Sequence, residues 1–169
     1  MPTQPKIVRH ENRSVELTEF LSHEDTGCLG TTDGIDAFTA IVFYVYENGR
    51  LYFKSRTGSN HSTHLRSHPQ ASFAVFLKSS TYDSKYGAQL LGRARRIQET
   101  DTMQRVVKLY GECFAGATAK LPSIKELCSD EIASTFYQFE IEKFKIIDED
   151  GTRNRTMLNY EDFQHQQSA

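Results

Sequence analysis

The chain has 169 residues, of which 38% are hydrophobic and 25% are charged, and its 20 Lys and Arg nearly balance its 22 Asp and Glu. One domain is the expectation at this length, and the apolar content is sufficient for a core, which excludes wholesale disorder. The formal net charge of -2 argues against a generally basic nucleic-acid-binding protein.

Features of targeting and of redox chemistry are few. No apolar run approaches the roughly 20 residues that span a bilayer, and the N-terminal residues lack the apolar core of a signal peptide. We therefore expect no membrane contact and a cytoplasmic location. Cys28, Cys113 and Cys128 are far apart in sequence. Because no C-x-x-C pair indicates a zinc site or a redox dithiol, we expect three reduced thiols.

The first part of the chain shows the pattern of an amphipathic helix followed by an antiparallel sheet. Apolar residues recur at three- and four-residue spacing behind Ser14, a favourable N-cap. Runs of β-branched and aromatic residues are then separated by Asp33-Gly34 and by Asn48-Gly49, and Asn-Gly between two such runs is the strongest short-range hairpin signal. The predicted elements are a helix over residues 14–23 and strands over residues 27–32, 37–46 and 50–55.

The remainder predicts further strands around a helical excursion. Ser59 is a favourable N-cap for a polar helix that Pro69 ends, and Gly92 marks a bend in a long strand. Thr100 or Asp101 is the predicted cap of the next helix. The predicted elements are helices over residues 60–67, 100–110 and 123–133, and strands over residues 71–77, 87–97, 135–147 and 155–160, with 135–147 half-buried.

The order of these elements indicates the fold class. Six or seven antiparallel strands, joined mostly by sequential hairpins and accompanied by few helices, favour a mainly β domain built as a closed or partly closed barrel. A β-sandwich is the structural alternative. We assign residues 1–163 to this single domain and expect residues 164–169 to form a flexible polar tail.

A locally cationic segment lies in the middle of this mildly acidic chain. Residues 48–82 contain no Asp or Glu. Where the third strand meets the next helix, the hydroxyls of Ser55, Thr57 and Ser59 and the amides of the helix N-terminus suit a phosphate. An ordinary Ser cap on a solvated loop explains the same residues. The cationic and imidazole side chains of the segment are Arg50, Lys54, Arg56, Arg66, Lys78, His61, His64 and His68.

Other kinds of site have less support. The three histidines of the helix fall at i, i+3 and i+7 and can share one face, as metal or haem ligands do, but no nearby carboxylate or thiolate completes a metal set. A solvated polar helix explains them, and we assign no metal site. Tyr52 and Phe53 beside Lys54 could stack on bases, but the net charge weighs against nucleic acid. No G-x-S-x-G or P-loop motif indicates a hydrolase.

The succession of motifs is similar to that of a known family. T-G-C-L-G-T-T-D-G, F-T-A-I-V-F-Y, N-G-R-L-Y-F-K-S and G-S-N-H-S-T-H-L-R-S-H-P-Q-A-S-F, followed by Y-G-A-Q-L-L-G-R-A-R, resemble the FMN-binding split β-barrel family related to pyridoxamine 5'-phosphate oxidase. The resemblance covers residues 14–98 and the strand from Thr135. It implies a six- to seven-stranded antiparallel split β-barrel and a homodimer with FMN at the subunit interface.

The resemblance also implies a set of flavin-binding positions in this chain. Second-strand residues would lie beside the isoalloxazine ring, third-strand residues would form a wall of the site, and the start of the following helix would hold the phosphate. The implied positions are Thr39, Ala40, Ile41 and Val42 for the ring, Phe53, Lys54 and Ser55 for the wall, Ser59, Asn60 and His61 for the phosphate, and Gln89 on a later strand.

The chain departs from the family pattern at its cationic positions. Asn60 and His61 replace the usual phosphate cations, while Phe38 and either Phe43 or Tyr44 stand where the true oxidase has Arg and Lys. These departures predict weaker phosphate binding. The cations that could compensate are Lys54, Arg56 and Arg66.

The C-terminal part departs from the true oxidase as well. Residues 151–160 lack the R-x-H pattern of its pyridoxal-binding segment, which disfavours oxidation of pyridoxamine phosphate. The resemblance therefore implies an FMN-dependent oxidoreductase of unknown substrate, with the flavin performing the redox chemistry and no catalytic side chain assigned. The alternatives are a non-catalytic flavin- or haem-binding or sensing barrel, a barrel without a cofactor, and a deazaflavin-binding relative.

Overall fold

The computed structural model describes residues 13–78, 86–147 and 157–164. In these ranges the chain is mainly β, with short helices between the strands. The elements are α1 (Arg13–His23), β1 (Thr26–Thr32), β2 (Ala37–Glu47), β3 (Arg50–Arg56), α2 (Asn60–Ser67), β4 (Gln70–Phe76), β5 (Gly87–Arg96), α3 (Thr100–Cys113), α4 (Ile124–Leu127), β6 (Ser134–Ile147), β7 (Leu158–Asn159) and α5 (Glu161–Gln164).

The strands form a closed antiparallel barrel. Their order is β3-β2-β1-β4-β5-β6-β7, and a further pairing of β3 with β6 joins the two sides of the sheet. The long strand β6 pairs with β3 from Arg56↔Ser134 to Arg50↔Glu140. It also pairs with the whole of β5, from Arg96↔Tyr137 to Gly87↔Ile147. Six strands therefore close the barrel and β7 extends it at β6, which confirms the predicted split β-barrel over the sandwich.

Two apolar clusters lie on opposite sides of the barrel wall. The interior cluster includes Leu17 of α1 together with Phe53 and Phe139. The second cluster, which includes Tyr52 and Phe136, lies outside the wall beneath α3 and α4. Since these helices cover the outer side, the first part of β6 is buried on both faces, unlike the half-buried strand that its sequence predicts.

The hairpin between β2 and β3 has the predicted two-residue turn. Asn48 and Gly49 have φ angles of 49° and 77°, as a type I′ turn requires, and Glu47 pairs with Arg50. The Tyr46 hydroxyl accepts from the Gly49 amide at 3.1 Å and lies 2.8 Å from the Tyr160 hydroxyl. This contact fixes the C-terminal segment against the turn.

Most predicted elements are confirmed, but the cap of α3 differs. The N-cap is Glu99, which makes no side-chain capping hydrogen bond, whereas the sequence favoured Thr100 or Asp101. Both residues lie inside the helix. The negative charge of Asp101 in the first turn still interacts favourably with the positive end of the helix dipole.

The predicted helix over residues 123–133 is wrong in length. Ser123 begins α4 with a capping box to Glu126, but the helix ends at Leu127. The guanidinium of Arg96 binds the carbonyl oxygens of Leu127 and Ser129. These bonds satisfy carbonyl oxygens at the end of α4 from outside the helix. The chain then leaves the helix and leads to β6.

The C-terminal predictions are only partly covered by the described residues. A strand was expected over 155–160, and the structure has β7 at Leu158–Asn159, while residues 155 and 156 lie outside the described ranges. The proposed tail begins at Gln164, the last residue of α5, and residues 165–169 also lie outside them. The three cysteines are free thiols. None of the described helices is long and apolar enough to cross a membrane.

The irregularity in β5 at Gly92 leaves no room for a side chain. The register of β5 and β6 shifts between Leu91 and Gly92, and a Cβ at Gly92 would lie 1.9 Å from the carbonyl oxygen of Glu140. We expect Gly92→Ala to lower the free energy of unfolding by about 1–3 kcal/mol, the usual cost of overpacking. Urea unfolding measures this. Gly58→Ala, where an added Cβ meets nothing within 4 Å, is the control, and equal stability of the two variants would contradict the prediction.

Candidate functional site

The connection between β3 and α2 is held firmly by the residues that lead into β6 and by α2 itself. Thr57 donates its hydroxyl to the Ile132 carbonyl at 2.8 Å and its amide to the Ala133 carbonyl at 3.0 Å. Arg66 donates to the Thr57 carbonyl at 2.6 Å. Ser59 then caps α2 by accepting from the Ser62 amide, as its sequence predicts. The end of a barrel strand and the start of a helix are thereby fixed together.

A hydrogen-bonded group of three serines and one histidine lies at this connection, and we call it the serine–histidine cluster (Ser55, Ser59, His61 and Ser62). The Ser55 Oγ and the His61 Nε2 are 2.6 Å apart, and the Ser59 Oγ is 3.2 Å from the same nitrogen. Ser62 lies between the other two hydroxyls, 2.9 Å from the Ser59 Oγ and 3.3 Å from the Ser55 Oγ. The cluster thus joins the predicted Ser55, Ser59 and His61.

His61 is a buried, neutral member of this cluster. His61 is only 9% exposed. The centre of its ring lies 6.4 Å from that of Phe38, with the two rings nearly parallel, and 6.5 Å from that of Phe53, with the rings tilted. Burial lowers the pKa of His61, and the neighbouring His64 lowers it further. The imidazole is therefore uncharged near pH 7 and acts as a hydrogen-bonding group.

His64 of α2 and His68, the residue that follows the helix, face the β1–β2 connection. His64 Nδ1 lies 3.3 Å from the Thr31 Oγ1, and its ring meets the edge of Phe38. His68 lies beside Gly34. No group of His, Cys, Asp and Glu within the described ranges is arranged to hold a metal ion. Since both Ser55 and Ser59 engage the His61 Nε2, this nitrogen is unsuited to serve as an axial haem ligand.

The cations near the cluster differ in availability. Arg66 is committed to the Thr57 carbonyl. Lys54 is half-buried and Arg56 exposed, and neither takes part in an ion pair among the described residues. Lys54 and Arg56 lie on one face of β3, and Ser55, between them in sequence, lies on the opposite, buried face. Lys54 and Arg56 are therefore the cations that a ligand outside the barrel wall could meet, together with the exposed Asn60.

The predicted ring contacts of β2 divide between the two faces of the strand. Val42 is buried in the interior cluster and Ala40 packs against it, whereas Thr39 and Ile41 are exposed on the outer face. Phe53 is likewise a core residue. Gln89 shares the outer face, because the register aligns Ile41 with Cys28, Ala74 and Gln89 across four strands. The structure thus separates an outer group of predicted residues from the serine–histidine cluster.

The outer face carries an apolar surface that we call the outer sheet patch (Ile41, Phe43, Phe76 and Leu91, around Cys28, Gly30, Ser72 and Ala74). The first four side chains are exposed by 44–78%. The other four are small and lie on the two central strands β1 and β4. They form a shallow centre between apolar ridges made by Ile41 and Phe43 on β2 and by Leu91 on β5, while Phe76 lies at the end of β4. Isolated exposed apolar residues are ordinary, but a contiguous group marks a binding surface.

Two members of the site were missed from the sequence. Ser62 is fully buried and bonds Ser59 and Ser55, and the signal for it was its position three residues after the N-cap, which faces the cap. Phe38 was noted only as a departure from the family, although it stacks on His61. No periodicity indicates that contact, because it joins a strand to a helix 23 positions later.

Comparison with known proteins assigns the family. The model of the family described as pyridoxamine 5'-phosphate oxidase matches residues 13–145, so the chain belongs to this family. No curated protein sequence matches it. The fold is similar to the conserved hypothetical protein Rv2991 from Mycobacterium tuberculosis, with a TM-score of 0.65 and 18% sequence identity over 92% of this chain and 96% of that chain.

Two further structures carry ligand names in their descriptions. A heme binding protein from Mycobacterium smegmatis has a TM-score of 0.71 and 18% identity, and the match covers 94% of this chain but 62% of that chain. An FAD-binding protein, mll6688, from Mesorhizobium loti has a TM-score of 0.57 and 16% identity, with 78% and 91% covered. The family and the fold are therefore established, and relatives of this fold bind flavin or haem.

The buried His61 predicts a specific pH dependence of stability. Because its pKa is lowered in the folded protein, the unfolded chain binds the proton more readily below its own pKa of about 6.5. Stability is therefore full above that pH and falls as the pH drops below it. We expect the loss of unfolding free energy between pH 7.5 and pH 5.5 to be smaller in His61→Gln than in the wild type. Urea unfolding at both pH values measures this, and an equal or larger loss in the variant would contradict it.

Proposed function

We propose that this protein binds FMN and is a flavin-dependent oxidoreductase acting on a small molecule other than pyridoxamine phosphate. The observation that carries this proposal is the polar group at the start of α2 in a chain of this family. There the Ser59 hydroxyl and the first-turn amides of Asn60 and His61 meet. First-turn amides have no partner within a helix and favour an anion.

The residues present fit a phosphate with a largely neutral donor set. Hydroxyls of the serine–histidine cluster lie beside the helix N-terminus, and Lys54 and Arg56 supply nearby positive charge that no described ion pair neutralises. The segment also lacks any acidic residue from 48 to 82. A phosphate therefore meets no like-charge repulsion from this segment.

The outer face of β2 fits the flat ring of a flavin. Thr39 and Ile41 are exposed there beside the small Gly30 and Cys28, and Gln89 supplies a polar amide in the same row. Apolar surface with a few polar groups is the usual lining of a cofactor site. When bound, flavin supplies the transfer of hydride or electrons, while the chain binds it, orients it and limits access of water.

A second copy of the chain would cover the outer sheet patch. We propose that the patch is the homodimer interface, because its ridges and its shallow centre lie on one face and can fit a twofold-related copy of the same face. A flavin ring over Ile41 would then be enclosed between subunits. The aromatic and aliphatic side chains of the patch have the composition of an interface core.

Non-catalytic flavin binding is the alternative function. The serine–histidine cluster contains no carboxylate, and its imidazole has no charged partner to make it a strong base. Binding without turnover would be consistent with a sensing protein. Consumption of a reduced nicotinamide in the presence of an artificial electron acceptor, measured with the FMN-loaded protein, distinguishes the two functions.

The phosphate site predicts how FMN binding responds to substitution. Ser59→Ala removes one donor and the cap of α2, and loss of a hydrogen bond to a charged group weakens binding about tenfold or more. Adding Lys54→Gln should weaken it further by removing a nearby positive charge. Fluorescence titration with FMN measures both. The matched control is Ser123→Ala, which removes the cap of α4. Equal FMN affinity of the Ser59 and Ser123 variants would contradict the proposed site.

The proposed interface predicts the oligomeric state. We expect the wild type to sediment at twice the mass of the chain and Ile41→Asp to sediment as a monomer, because two buried carboxylates would face one apolar interface. Ile35→Asp is the control, since Ile35 is also exposed, at 92%, but lies in the β1–β2 turn. A dimer that persists in Ile41→Asp would exclude this face.

A further inference from the structure

The direction of the hydrogen bonds in the serine–histidine cluster decides whether its hydroxyls can serve an anion. When the His61 Nε2 carries no proton, it accepts from Ser55 at 2.6 Å, and Ser55 in turn accepts from Ser62 at 3.3 Å. Ser59 donates to the Arg56 carbonyl at 2.9 Å. In the protein without ligand all three hydroxyl hydrogens are then used internally, so a phosphate must turn at least one of them toward itself.

Protonation of His61 reverses this arrangement. A charged imidazole donates from Nε2 to the Ser55 Oγ, and the short distance of 2.6 Å suits such a charge-assisted bond. Ser55 can then turn its hydrogen toward another acceptor while it still accepts from the fully buried Ser62. The same event places a positive charge one hydrogen bond from Ser59, the cap of α2. An anion there gains a donor and a charge.

We propose that His61 is a proton-linked specificity residue, which takes up a proton when the phosphate of FMN binds at the start of α2 and thereby sets the preference for FMN over riboflavin. This inference rests on the proposed FMN site. His61 replaces a permanent cation with one that is charged only in the complex, so the preference for the phosphorylated flavin increases as the pH falls.

The surroundings of His61 leave it responsive to a ligand. On its own helix the titratable neighbour is His64, and the Arg66 guanidinium is turned to the Thr57 carbonyl. β2 presents the neutral Phe38 and β3 the neutral Ser55. The Asp33 carboxylate of the β1–β2 turn lies within the electrostatic reach of His64, which helps to lower the pKa of Asp33. Burial and His64 are what lower the pKa of His61. Within the described ranges no carboxylate already holds the ring in its charged form, so an arriving phosphate dianion can do so.

The test compares FMN with riboflavin, which has no phosphate, by fluorescence titration between pH 6.5 and pH 8.0. In the wild type, we expect the ratio of the riboflavin Kd to the FMN Kd to rise as the pH falls, by at most about tenfold per pH unit, the limit for one proton. In His61→Gln the ratio should be flat apart from the titration of FMN's own phosphate, whose second pKa is about 6 and which affects both proteins equally.

Two further variants sharpen the comparison. His61→Lys carries a charge throughout this range, so its ratio should be high and nearly independent of pH. His64→Gln removes the neighbouring imidazole and should keep the rising ratio of the wild type. A ratio that has the same pH dependence in the wild type and in His61→Gln would overturn the inference, and this is also the result expected if neutral His61 carries its proton on Nε2 and never changes charge.

Calorimetry of the wild type decides the question even where a His61 variant does not fold. FMN is titrated near pH 7 in two buffers of different ionisation enthalpy, and riboflavin is titrated in the same way. Net proton uptake with FMN and none with riboflavin supports the inference, and equal uptake with both overturns it. Failure of the wild type to bind either flavin would overturn the proposed FMN site as well, whereas FMN binding without proton uptake would overturn this inference alone.

Discussion

The pairing of β6 with both β3 and β5 is the constraint on which the structure depends. It closes the barrel, and its first residue and the residue before it also fix the connection that leads into α2. The Ser134 hydroxyl donates to the Ser55 carbonyl at 3.1 Å, and the carbonyl of Ala133 accepts from Thr57. Because these bonds hold the backbone just before Ser59, the serine–histidine cluster is organised by barrel closure as well as by α2. An eight-residue helix would be marginal without such support.

Two residues that depart from the family pattern, Phe38 and His61, contact each other in this protein. The resemblance implies that Phe38 stands where the true oxidase has a cation and His61 at a phosphate position. Their rings lie 6.4 Å apart with an angle of 14° between them. Replacing one cation by an aromatic ring buries the other position, and burial then keeps the imidazole neutral. The proposed site therefore contains buried polar groups in place of fixed charge. It would offer an anion oriented donors, together with the charge of Lys54 and Arg56 and of His61 once it is protonated.

The sequence predicts the barrel well and the site only in part. Hairpin chemistry at Asn48-Gly49 and the Ser59 cap depend on neighbours in the chain, so local patterns locate them. The length of α4 depends on Arg96, which reaches it from β5, and the burial of β6 on both faces depends on helices packed outside the barrel. The same limit applies to the ligand site. Its residues were named, but alternation alone could not tell that Val42 is buried in the core while Ile41 is exposed on the outer face.

We propose that this member of the family holds the phosphate of FMN at the start of α2, through the first-turn amides and the Ser59 hydroxyl. The most direct test is a crystal structure of the protein with FMN bound. We expect the phosphate oxygens within hydrogen-bond distance of the Asn60 amide and the Ser59 hydroxyl, and the ring against the outer face of β2. A phosphate located elsewhere on the barrel, or a haem occupying the same surface in place of flavin, would contradict it.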